Sequence, residues 1–205
     1  FELGLWVIDS ALQQLQYWQQ GGLDIVVSVN IAANHLHAKN FIQSLQQILN
    51  RYHDIRPASL QLEILESSAL GDVTTLSRII DDCRERVGVL IALDDFGTGY
   101  SSLTHLRHLA ANSVKIDQSF VRDMLEDASD YNIVDGVISL AKAFNRQVIA
   151  EGVETVEHGL MLLSMGCDHA QGYQIARPMP AQHIMNWCQA YQLQPEWREF
   201  HDNNV

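Results

Sequence analysis

Six short, mostly apolar runs punctuate the chain, and each closes on a carboxylate, an amide or an ammonium: 26–30, 60–63, 89–95, 114–117, 148–151 and 169–171. Runs of this length rich in β-branched residues predict strands. Between them the apolar spacing switches to that of helices, expected near 39–54, 73–87, 101–110, 129–145, 155–165 and 181–191. The chain opens in a further helix, with Leu12, Leu15 and Trp18 on one face, and Gly21-Gly22 stops it.

Strand–helix alternation demands a parallel sheet flanked by helices, because each crossover returns right-handed over a face. A doubly wound sheet gathers ligands at one switch point fed by few strands. Here every strand carries a polar group at its C-terminal end, which favours a closed barrel, where such groups converge. Six strands are visible against the roughly eight that closure needs. The expectation is an α/β, TIM-like (β/α)8 barrel forming one domain over 1–205, with its first strands missing before Phe1. A start within a helix and without methionine fits a fragment.

A net charge of −12 and a pI near 5.0 oppose a duplex nucleic acid partner held by a basic field. No apolar run approaches the ~20 residues of a membrane span and no secretory signal opens the chain, so a cytoplasmic domain is expected, whose parent protein can still be membrane-anchored. Cys83, Cys167 and Cys188 lack metal or disulfide spacing and read as reduced thiols. The nine histidines read as structural or surface residues, and Trp6, Trp18, Trp187 and Trp197 as helix-face packing rather than a nucleobase platform. The acids Glu126, Asp127 and Asp130 read as a solvated face ahead of a helix.

The candidate chemistry sits at the strand ends. Asp94 and Asp95 repel each other at the end of an apolar strand, so a bound cation is the natural compensation. The plainer alternative is that Asp95 caps the next helix and the following Gly97-Thr98-Gly99 makes an ordinary turn. Glu63 and Lys115 are costly on apolar strands without partners, and Lys115 has Asp117 or one of the barrel acids as a simple ion-pair alternative.

The stretches Asp94 to Leu103, Glu63-Ile64-Leu65-Glu66-Ser67, Lys115-Ile116-Asp117, Ala150-Glu151-Gly152-Val153-Glu154-Thr155 and Gln171-Gly172-Tyr173 together resemble the EAL domain family, bacterial phosphodiesterases of cyclic diguanylate. Leu65 stands where that family commonly has Thr. The resemblance implies a barrel of the EAL type and hydrolysis of cyclic diguanylate to the linear dinucleotide pGpG with Mg2+ or Mn2+, two ions in all. It also implies that the Glu-Ala-Leu segment, with a metal-binding Glu and a nearby Arg, precedes Phe1.

By the same resemblance Asn30, Glu63, Asp94 and Asp95 are metal ligands, and hard cations do select such oxygen donors. Glu151 is implied to be the general base or a metal-contacting acid, and Lys115 a group that orients water or contacts phosphate. Gln171, Asp117 and Glu154 are implied to meet substrate, and Glu66 to anchor the loop from Asp95 to Leu103, which couples dimer contacts to metal occupancy. A homodimer and an upstream sensor or GGDEF-type domain belong to the same expectation. Two alternatives stay open: a cyclic diguanylate receptor that does not cut, and a Schiff-base aldolase using Lys115, which would work in chelator.

Overall fold

The computed structural model describes residues 2–66, 73–98 and 103–204. Ser67, the segment 99–102 and thus the start of the helix expected at 101–110 lie outside the described residues. The chain forms two compact units, Phe1–Asp94 with Gly99–Asn112, and Asp95–Thr98 with Ser113–Val205.

In the first unit, helix α1 (Glu2–Gln20) buries Ile8, Leu12, Leu15 and Trp18 at helical spacing. It ends where expected, in a Schellman motif: Leu23 N–H donates to the Trp18 carbonyl at 2.9 Å and Gly22 N–H to that of Gln19 at 2.9 Å. Gly22 takes φ +85, a left-handed conformation that suits a residue without Cβ. Strand β1 (Val27–Asn30) is followed by a single-turn helix α2 (Ala33–Leu36), which the sequence pattern did not announce, and by α3 (Phe41–Leu49). Strand β2 (Leu60–Leu65) pairs parallel with β1 in register Asn30 to Glu63, and β3 (Leu90–Phe96) pairs parallel with β2 in register Leu65 to Asp94.

Helix α4 (Val73–Asp81) runs on as a π-helical segment over Asp82–Val87 and stops at Gly88, φ +89. The helix expected at 73–87 is therefore continuous but changes pitch in its last turns. Helix α5 spans Leu103–His108. The core of this unit is aliphatic, with Leu12, Leu62, Ile64, Leu76, Ile80 and Ile91 excluded from water.

In the second unit, β4 (Ser113–Ile116) and β5 (Gln147–Ala150) pair parallel in register Lys115 to Ile149. The sixth expected strand is reduced to one parallel bridge, Ala150 to Ala170. Its backbone is still strand-like: Ala150 N–H donates to His169, Gln171 N–H to Ala150 and Val153 N–H to Gln171, at 3.0, 2.8 and 3.1 Å. The helices are α6 (Gln118–Asp123), α7 (Ala128–Ala143), α8 (Val156–Ser164), α9 (Ala181–Ala190) and α10 (Pro195–Asn204).

Side-chain caps fix three of these starts. Asp117, Asp127 and Thr155 accept from the backbone N–H of Ser119, Ser129 and His158, at 2.9, 2.6 and 3.2 Å. The acidic run before α7 is thus more specific than a solvated face. Helices α6 and α10 are absent from the expected set, since α6 is a turn and a half long and α10 carries few apolar residues. Among the described residues no helix is long and apolar enough to cross a membrane.

Candidate active site

Alternation along a strand puts every second side chain on one face, and paired positions of parallel strands share that face. In the first unit, the pairing of Asn30 with Glu63 and of Glu63 with Ala92 places Asn30, Glu63 and Asp94 on one face of β1–β3. One layer below, Ser28 Oγ donates to Gln61 Oε1 at 2.9 Å, which confirms the registration. Glu63 and Asp94 are buried and Asn30 is exposed at the strand end. Glu66, just past β2, is buried as well. This unit therefore brings three expected metal ligands to one face, with the expected loop anchor directly after the middle strand.

The second unit holds the closest polar contacts. Lys115 and Ile149 are paired, so Glu151, two residues beyond Ile149, continues the same face. Lys115 Nζ meets Glu151 Oε1 at 2.6 Å, the two side chains being only 6% and 13% exposed. Gln171 Nε2 donates to the same Oε1 at 2.6 Å. A buried ammonium is costly unless paired, and here an acid from the next strand pairs it, not Asp117. Two converging donors hold the Glu151 carboxylate in one orientation, while Asp117 turns its Oδ1 to the start of α6.

Asp95 departs from regular strand geometry with φ +55, followed by Gly97 at φ +103. The left-handed turn breaks the strict alternation that would send Asp94 and Asp95 to opposite faces. The Asp95 carbonyl accepts from Thr98 Oγ1 at 2.9 Å, closing the turn. A carboxylate oxygen of Asp95 lies within 4.8 Å of one of Glu151, in a group of acids that could hold a metal ion, and Asp94 is one peptide bond away. That span is about twice the 2.0–2.6 Å reach of a carboxylate oxygen to a hard divalent cation. The donors are all oxygen, so their chemistry fits magnesium or manganese better than softer metals.

Beside this group is a cleft of about 680 Å³ whose wall includes Glu151, Glu154, Gln171 and Gln118. Gly152 and Gly172 permit its shape. A Cβ on Gly152, at φ +73, would stand 2.6 Å from Gln118 Cβ, and one on Gly172 would stand 2.2 Å from the Val153 carbonyl oxygen. Glu154 sits at the rim, its backbone N–H donating to Nδ1 of the buried His158 at 3.4 Å. His158 is thus structural, as expected.

Gln118, in the wall of this cleft, escaped the sequence reading. Gln118 follows Asp117 immediately, and its place after a strand-end acid was the available signal. Trp187, half-buried, lines the same cleft. Of the other tryptophans, Trp18 and Trp197 are buried as expected, whereas Trp6 is 64% exposed on α1.

A family profile described as EAL domain matches residues 1–178. The bifunctional diguanylate cyclase/cyclic di-GMP phosphodiesterase MucR of Pseudomonas aeruginosa is 37% identical over 185 residues, 90% of this chain and 27% of that protein. The solved structure of the PaMucR phosphodiesterase in complex with c-di-GMP superposes with a TM-score of 0.84 at 36% identity, covering 89% of this chain and 74% of that one. The crystal structure of the EAL domain of Mycobacterium smegmatis DcpA gives 0.87 at 35% identity, covering 94% of this chain and 86% of that one. The chain spans 27%, 22% and 31% of the length of three curated relatives it matches.

Proposed function

The chain belongs to the EAL domain family, and we propose that it hydrolyses cyclic diguanylate to linear pGpG with the help of divalent cations. The expected α/β barrel of the EAL type is borne out by its solved neighbours. The observation that carries the functional reading is the arrangement at Glu151: one oxygen held at 2.6 Å by both Lys115 and Gln171, with Asp95 within 4.8 Å.

In this reading Asp94, Asp95, Glu63 and Asn30 supply oxygen donors for Mg2+ or Mn2+, two ions in all. Such cations, when bound, neutralise charge on a phosphodiester and favour ionisation of an attacking water. The protein's own groups do the rest. Glu151 accepts the water's proton on its carboxylate, and Lys115 and Gln171 keep that carboxylate aimed, so the proton acceptor needs no reorganisation at the moment of attack.

Glu154 and Gln171 border the cleft that receives the dinucleotide. Asp117 acts on it through the start of α6, and places Gln118 at the cleft wall. The loop-anchor role that the family resemblance gives Glu66 belongs to the same proposal. A homodimer, an upstream sensor or GGDEF-type domain and a cytoplasmic setting complete the proposal. A Schiff-base role for Lys115 fits poorly, because it needs a neutral amine and Glu151 at 2.6 Å favours the ammonium.

The test is chromatography of cyclic diguanylate after incubation with the protein and Mn2+. Appearance of pGpG, stopped by chelator, is expected. Binding of the dinucleotide without cleavage would instead make the chain a receptor, and turnover persisting in chelator would remove the metal-dependent reading.

A further inference from the structure

Helix α9 buries none of its residues, yet it carries a row of large apolar side chains that includes Ile184 and Trp187, three residues apart. That pair forms one wall of the cleft that Glu151 and Gln171 line. An indole facing a water-filled cleft leaves apolar surface exposed unless something planar covers it. The ring is braced from behind: Tyr191, one turn on, lies with its centroid 4.8 Å from that of Trp187 at an interplanar angle of 38°. The Tyr191 N–H donates to the Trp187 carbonyl at 2.8 Å, which fixes the pair where the helix ends. A held aromatic surface loses little entropy when a ligand stacks on it.

The electrostatics of the cleft call for such a surface. Glu151 and Glu154 repel a phosphodiester, and the chain as a whole carries −12. Arg177 lines the same cleft, its guanidinium 4.6 Å from the centre of the Tyr173 ring, so the anionic part of a substrate is met by this group and by bound metal ions, and stacking on the bases adds a contribution that does not depend on charge. A cleft of about 680 Å³ falls in the range of nucleotide-sized ligands. Ile184 and Trp187 also lie beyond residue 178, where the match to the EAL domain profile stops. Family membership alone therefore does not specify this wall.

We propose that Trp187 stacks on a purine base of the substrate and determines affinity for base-bearing phosphodiesters, an inference that rests on the phosphodiesterase reading above. Base–aromatic stacking is worth ~1–3 kcal/mol, about a 5- to 150-fold change in binding.

The test compares Trp187→Ala, Trp187→Leu and Trp187→Phe in the whole chain, with circular dichroism and thermal midpoint as fold controls. Alanine and leucine should raise KM for cyclic diguanylate at least about fivefold with kcat within about twofold, and phenylalanine should recover most of the loss. A merely structural role would lower the thermal midpoint and be satisfied by leucine, which fills space without a π-face.

Binding is also read without turnover, by quenching of tryptophan fluorescence with cyclic diguanylate in chelator. The quench should disappear in Trp187→Phe, which leaves Trp6, Trp18 and Trp197 in place. Quenching without hydrolysis by the wild type would overturn the phosphodiesterase reading while leaving the stacking intact. Hydrolysis with KM unchanged in Trp187→Ala would overturn the stacking alone.

Discussion

Replacing Lys115 by methionine removes the ammonium that meets Glu151 Oε1 at 2.6 Å while keeping a straight apolar stem of similar length. At 2.6 Å and an effective dielectric near ~20 the attraction is about 6 kcal/mol, much of it offset by the cost of taking both charges out of water. The side chains are 6% and 13% exposed, so the Glu151 carboxylate left behind has little water to turn to. It also stays within 4.8 Å of Asp95, now without the nearby positive charge. Breaking a buried pair from one side costs about 3–5 kcal/mol.

For a chain of this size that corresponds to a thermal midpoint lower by about 6–20 °C. Glu151→Gln alone should destabilise for the mirror reason, since the buried ammonium loses the carboxylate that meets it at 2.6 Å. The double variant Lys115→Met, Glu151→Gln should recover at least about 2 kcal/mol relative to the sum of the singles in urea unfolding. Added Mn2+ should raise the midpoint of Lys115→Met more than that of the wild type, because the cation takes over the neutralisation that the ammonium supplied. Additive single effects, within about 0.5 kcal/mol, would refute the pair as a coupled unit.

Two further outcomes follow from the packing. Gly172→Ala puts a methyl 2.2 and 2.3 Å from the backbone O and N of Val153, atoms that cannot swing aside, so a loss of about 3 kcal/mol or more in urea unfolding is expected, with Gln171 displaced and hydrolysis reduced alongside. Burial, and then the charge of Asp82, push the Cys83 thiol up to about 12, and burial also raises that of Cys167. Ellman's reagent at pH 8 should accordingly modify the half-buried Cys188 in the native protein, and Cys83 and Cys167 only after unfolding.

The strand ends were legible because their pattern is local. β1, β4 and β5 lie within a residue of the runs that announced them, and Asn30, Glu63 and Asp94 land on one face because alternation and parallel register leave them no other. That Lys115 pairs with Glu151 and not with Asp117 was legible only as one of two open alternatives. It depends on which strand lies beside β4, a non-local fact, and Asp117 had a local use as the cap of α6.

The same division explains the remaining differences. Residues 169–171 carry the backbone bonds of a strand but only one bridge, since the chain turns away through Gly172 against Val153. Trp187 has the helical spacing of a core residue, and only the position of α9 over a cleft gives it another use. The reversal at Asp95 had a partial signal in the glycines that follow, although a left-handed aspartate is not readable from composition.

The central claim is that Asp94 and Asp95 hold a hard cation beside the Glu151 carboxylate, and titration of Mn2+ followed by electron paramagnetic resonance tests it most directly. The wild type should bind Mn2+ saturably, with affinity reduced at least about tenfold in Asp94→Asn and in Asp95→Asn. Unchanged affinity in both variants would contradict the account.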